Sequence, residues 1–92
     1  MTADGFEVRL TGPAVRALAR LEPKIADAVL RFLDGPLAEN PIRVTNPLGA
    51  ELEGQRSGYV GIAYRVVVRV DDDQRIVFVL RIAHRADVYR AR

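Results

Sequence analysis

Arg56, Arg65, Arg81, His84, Arg85 and Tyr89 stand in the second half of the chain, and they are its best-equipped side chains for chemistry. Arginine presents a planar fork of donors that matches phosphate oxygens, yet it stays protonated and makes a poor base. His84 is the one histidine, and histidine is the side chain whose ordinary pKa suits proton transfer near neutrality. The charge is placed unevenly. Residues 1–54 hold six Lys/Arg and eight Asp/Glu, a net −2, whereas residues 55–92 hold eight Arg and four Asp, a net +4. The asymmetry points to a polyanion partner, either nucleic acid or an acidic protein, with a solvated arginine-rich face as the plainer reading.

Other chemistries are excluded. Cysteine is absent, which removes disulfides, thiolate metal sites and a cysteine nucleophile, and a single histidine makes a protein-only zinc site improbable. No cofactor motif is present: the sequence holds no Walker loop, no HExxH, no nucleophile elbow and no paired-carboxylate constellation. Asp71-Asp72-Asp73 resembles a cation site in composition only; its place between two strand patterns makes it a solvated turn. No secretory signal or membrane-spanning apolar run is visible, so the expected location is the cytoplasm, without membrane contact.

The elements that must carry these residues follow from periodicity. Phe6, Val8 and Leu10 alternate with Glu7 and Arg9, the pattern of a half-buried strand. Pro13 and Pro23 each suit the first turn of a helix, where the missing N–H is not needed. Ala14, Ala17, Leu18 and Leu21 form one helical stripe, and Ile25, Ala28, Val29, Phe32 and Leu33 form the next, which Gly35-Pro36 ends. Residues 35–54 hold three prolines and three glycines and read as an irregular connection, with Leu48 and Leu52 as anchors to the core.

From residue 55 the pattern is β. Gln55–Tyr59 is a weak strand interrupted by Gly58, and Ile62–Val70 with Arg75–Ile82 make a hairpin around the acidic turn. A four-residue turn pairs Val70 with Arg75 and Tyr64 with Arg81. That register puts Arg65, Val67 and Arg69 on one face with Ile76, Phe78, Leu80 and Ile82. Arg65 and Arg69 cannot both lie deep without partners, so one belongs near an open rim. Tyr59 and Tyr64 read as packing residues. At 92 residues the chain is expected to form one domain. The order β-α-α-β-β-β predicts an α+β fold, with a helical hairpin packed on one face of a mainly antiparallel sheet and the other face open to a ligand.

Leu52–Gly54 with Arg56, then Tyr64-Arg65-Val66-Val67, the acidic turn, and the ending from Val79 to Tyr89 with His84-Arg85 inside it occur in an order that resembles the RelE/ParE superfamily of type II toxin–antitoxin toxins. The N-terminal strand, the helical hairpin and Gly35-Pro36-Leu37 match as well, so the resemblance spans nearly the whole chain. It departs from the pattern at Gly58 and Tyr59, where a basic residue is common, and at Val68, where a tyrosine is common.

The resemblance implies a RelE-like fold over residues 1–92 and a metal-independent endoribonuclease that cleaves messenger RNA in the ribosomal decoding site. A ribose 2′-OH would attack the adjacent phosphate and release a 5′-OH. By position, Arg65, Arg85 and Tyr89 match the family's catalytic arginine, second arginine and near-terminal tyrosine. His84 precedes the second arginine, at a position that is often basic, and is a further candidate acid or base. Arg56 matches an upstream basic RNA contact, and Arg81 joins it. Fixed cations aimed at the phosphorane are the largest stabiliser available to such a reaction. Tyr89 serves as base only if Arg65 and Arg85 lower its pKa from about 10. The implied partners are a cognate antitoxin, in a hetero-oligomeric complex, and ribosome-bound message. Two other functions share this resemblance: a ParE-like inhibitor of DNA gyrase, and an inactive relative that binds an antitoxin.

Overall fold

The computed structural model describes residues 5–49 and 54–88. Strand β1 (Glu7–Leu10) leads into helices α1 (Gly12–Arg20) and α2 (Pro23–Asp34), then a single turn of helix, α3 (Pro36–Glu39). A two-residue strand β2 (Asn46–Pro47) precedes β3 (Gln55–Val60), β4 (Tyr64–Asp71) and β5 (Ile76–His84), and α4 (Arg85–Val88) follows. Both long helices carry proline in their first turn, and Gly35 closes α2 by donating its N–H to Arg31 O. The short elements α3 and β2 fall in the stretch expected to be irregular.

The sheet runs β1-β5-β4-β3-β2. It is mixed: β1 lies parallel to β5 and the other pairs are antiparallel. Strand β5 therefore sits inside the sheet, between β1 and β4. One face packs on the helices. Val66, Val68, Val77, Val79 and Ile82 meet Ala14, Val29, Leu33 and Leu37 there, with Val8, Leu10, Leu18, Ile25 and Phe32 around them. Ala28, counted in the apolar stripe of α2, is exposed instead, because the helix turns its 25, 29, 32 and 33 positions inward. Leu48 is half-buried and bonded through its N–H to Gln55 O, as an anchor would be; Leu52 lies outside the described residues.

The hairpin register differs from the expectation. Val70 pairs with Val77 and Tyr64 with His84, and a β-bulge falls between Val67 and Val68, whose partners are Arg81 and Val79. Leu80 is the extra residue. Up to Val79 the faces are as alternation predicts; beyond Leu80 they exchange. The bulge turns Ile82 into the core, 5% exposed, and brings Arg81 to the open face. Thr11, at the start of α1, holds this irregularity. Its hydroxyl donates to Val79 O at 2.8 Å and reaches Leu80 O at 3.3 Å, while its N–H donates to Val79 O at 3.1 Å.

Candidate nucleic-acid interface

The face away from the helices carries Arg65, Val67 and Arg69 of β4, Phe78, Arg81 and Ala83 of β5, and Gln55, Ser57 and Tyr59 of β3. Arg81 stands opposite Val67, two pairs along from Arg65 opposite Ala83. The two arginines are thus diagonal neighbours on adjacent strands, within reach of one polyanionic group. Glu7 and Arg9 extend the face on β1 and neutralise each other through a 2.7 Å contact. Arg9 holds the Glu7 carboxyl below its ordinary range by hydrogen bond and charge, and Glu7 raises Arg9 in return.

Arg65 is half-buried, and the two terminal nitrogens of its guanidinium reach polar groups on β3. Nη2 donates to the Tyr59 hydroxyl, and Nη1 reaches Ser57 Oγ at 3.4 Å. The Tyr59 ring lies 4.5 Å from Arg65 Cζ, a cation–π contact. Tyr59 pairs directly with Arg65 across β3 and β4, and the Gly61–Ala63 turn sets that register with Gly61 at φ +64°. Arg69 is exposed at the rim and lies over Gly54. A Cβ on Gly54, whose φ is +83°, would come within 2.8 Å of Arg69 Nη1, so the glycine serves both the backbone and this approach.

The residues singled out from sequence do not all share one face. Arg65 and Arg81 share the open face. Arg56 does not join them. It alternates onto the helix side, where Nε donates to Thr45 Oγ1 at 2.8 Å and Nη2 donates to Thr45 O at 2.9 Å and Ile42 O at 3.2 Å. Its guanidinium ties the loop before β2 to β3, beside a depression of about 250 Å3 floored by Ile42, Pro47 and Val70. His84 is likewise set apart from Arg65. It pairs with Tyr64 and meets that ring edge-on at 5.6 Å and 76°, while its Nδ1 accepts the Ala86 N–H at 3.3 Å. One residue of strand alternation separates the faces of His84 and Arg65. Arg85 is exposed at the start of α4, and its N–H donates to Ala63 O at 2.6 Å, which docks its backbone beside the β3–β4 turn. Tyr89 lies outside the described residues.

Tyr59 and Ser57 are the site residues that sequence reasoning missed, having assigned Tyr59 to packing. The available signal was the turn: pairing the weak strand with β4 around Gly61–Ala63 puts Tyr59 against Arg65. Gly58 is explained by the same register. It faces α2, where a side chain would strike Phe32 and the Val44 carbonyl, so no basic residue fits there. Among the described residues no three His, Cys, Asp or Glu side chains gather to hold a metal. Asp71 Oδ1 accepts the Gln74 N–H, as a turn residue should. Among them, too, no helix is long and apolar enough to cross a membrane.

A helical hairpin covers one side of a small mixed sheet, and Arg65 and Arg81 stand on the other, which makes an α+β domain with one face left open. Residues 8–89 match the family model of the ParE toxin of type II toxin–antitoxin system, parDE, and the chain belongs to this RelE/ParE superfamily. It is similar to Toxin RelG of Mycobacterium tuberculosis, 45% identical over 85 residues that cover 92% of this chain and 97% of the relative. Toxin RelE of the same organism is 44% identical over 85 residues, covering 92% and 87%. Among solved structures, the toxin–antitoxin complex RelBE2 from M. tuberculosis contains a chain with a TM-score of 0.83 and 41% identity, covering 87% of this chain and 98% of that one. The chain is therefore a type II toxin of the RelE kind.

Proposed function

We propose that the chain is a ribosome-dependent messenger-RNA endonuclease whose open sheet face grips the scissile phosphate. The observation that carries this reading is the diagonal pair Arg65 and Arg81, side by side on the face the helices leave uncovered. Cleavage by a 2′-OH builds negative charge on the phosphorane, and preorganised cations stabilise it more than any other available group. Arg65 is held by Tyr59 and Ser57, so it needs little reorganisation when charge develops. Arg85 enters from the end of β5, and Tyr89 stands four residues beyond it in the chain. A cognate antitoxin is the expected partner, since the 41% identical chain of RelBE2 was solved in a toxin–antitoxin complex.

The test is expression in a bacterium with transcript 5′ ends mapped. New cleavage sites within translated regions are expected, and Arg65→Ala should lower the cleavage rate by about 10²–10³-fold, the usual loss when one preorganised donor to a developing oxyanion is removed. Growth arrest without new 5′ ends would reject the reading. One observation favours a second: the matching family model is that of ParE toxins. Inhibition of purified gyrase in a supercoiling assay without ribosomes would favour a gyrase inhibitor.

A further inference from the structure

Cleavage by this route leaves a 5′-oxygen that must gain a proton, and arginine is a poor source of one. The proton carriers among the described residues differ in their place on the sheet. His84 and Tyr64 meet each other on the face opposite Arg65. Asp71 lies six residues along β4 from Arg65, about 20 Å at the usual rise of a strand. Glu7 is bound to Arg9 on the far strand β1. Tyr59 alone among these stands against Arg65, 50% exposed, with its hydroxyl oxygen accepting from Arg65 Nη2.

We propose that Tyr59 is the general acid of the reaction, a proposal that rests on the nuclease reading above. A hydroxyl whose oxygen accepts an N–H keeps its own O–H to donate, and Tyr59 is open to the ligand side of the sheet. In the step, the bond from the 2′-oxygen to phosphorus forms and the bond from phosphorus to the 5′-oxygen breaks. The phenol proton passes to the 5′-oxygen. The 2′-hydroxyl proton passes to solvent water, which later reprotonates the phenolate. The products are a 2′,3′-cyclic phosphate and a 5′-hydroxyl. Arg65 remains bonded to the phenol oxygen throughout, so the charge left there is countered where it forms. The same contact fixes the guanidinium and the acid relative to each other.

The test uses Tyr59→Phe, which keeps the ring over Arg65 and removes only the hydroxyl. Single-turnover cleavage is measured on ribosomes programmed with a short message, once with the ordinary linkage and once with sulfur replacing the bridging 5′-oxygen at the mapped scissile bond. A thiolate departs without needing a proton. The expected result is a slowing of about 10²-fold on the ordinary message, at the lower end of what general acids contribute, with wild-type rate restored on the sulfur message. Equal slowing on both messages would make Tyr59 a positioning residue only and overturn the proposal, as would no slowing on either. Arg65→Ala should stay slow on both, since charge on the phosphorane must be stabilised whatever the leaving group. If wild type cleaves neither message, the nuclease reading itself fails. Unchanged antitoxin binding by the Phe variant shows that it is folded.

Discussion

Gly58→Ala probes one close approach of backbone to its neighbours on which the fold depends. Gly58 lies in β3 opposite Val66, on the face that α2 covers. Its φ is not in the left-handed region, so backbone conformation puts no penalty on alanine. The penalty is space. An added Cβ would come within 2.9 Å of Phe32 Cζ, 2.9 Å of Val44 O and 3.3 Å of Thr45 Cγ2. The Val44 carbonyl belongs to a loop that Arg56 fixes through Thr45 O at 2.9 Å and Thr45 fixes through Pro41 O at 2.6 Å. That oxygen cannot yield cheaply. Overpacking of this kind costs about 2–3 kcal/mol, near the top of its usual range. Loss of glycine's freedom in the unfolded chain returns about 0.4–1 kcal/mol. The steric effect wins, and a net loss of about 1–2.6 kcal/mol should lower the thermal midpoint by roughly 4–20 °C in a domain of this size. Circular dichroism melts of wild type, Gly58→Ala, Phe32→Leu and the double variant would measure it. The double variant should lose less than the sum of the singles, because the shorter side chain clears one of the three contacts. A midpoint unchanged in Gly58→Ala, or strict additivity in the cycle, would refute the steric account.

Three further outcomes follow from the same geometry. Arg56→Ala removes charge-assisted bonds to Thr45 and Ile42 and should cost about 2 kcal/mol in urea denaturation while leaving cleavage of ribosome-bound message intact; lost cleavage at unchanged stability would restore Arg56 to the RNA site. Thr11→Val keeps the shape and deletes the hydroxyl that holds the bulge, so stability should fall by about 1 kcal/mol and the Arg81 and Ile82 amides should exchange faster; unchanged exchange there would separate Thr11 from the bulge. Arg9 lowers the Glu7 carboxyl in the folded state, so that pair contributes above the ordinary carboxylate range and its contribution disappears as pH falls through the lowered value. Glu7→Gln should therefore flatten the acid limb of the stability–pH curve slightly, and a steeper limb would contradict the pairing.

The helices were legible because their pattern is local. Pro13 and Pro23 fix the starts, Gly35 fixes one end, and the inward residues of each stripe recur every three or four positions. The hairpin was legible as a hairpin for a similar reason, since the acidic turn separates two strongly β-forming runs. Its register was not. Residues 76–79 land on the expected faces, but nothing in Val79-Leu80-Arg81-Ile82 announces an extra residue. The bulge depends on Thr11, 68 residues away from Val79 in the chain, and on β1 lying parallel beside β5. Such contacts exist only after the sheet assembles. The candidate site suffered accordingly. Arg65 could be placed by alternation within β4, whereas Arg56 and His84 could be sorted from it only once the register of all three C-terminal strands was known.

That dependence explains why a strand inside the sheet tolerates an irregularity. Without the extra residue, Arg81 would continue the inward series of Val77 and Val79, and Ile82 would face the open side. An arginine would then enter a core of valines and leucines with no partner of opposite charge among the buried residues there, and its burial would cost more than a lost ladder bond. With the bulge, one strand supplies Val77, Val79 and Ile82 to the core and Arg81 to the ligand face. The carbonyls that the bulge displaces, Val79 O and Leu80 O, are met by the Thr11 hydroxyl at the point where the chain turns from β1 into α1. The first strand thus closes the edge of the sheet and also sets the orientation of a cation in the site. Placement of the second arginine beside Arg65 is a property of the whole sheet, and no segment shorter than β1 to β5 contains the interactions that specify it.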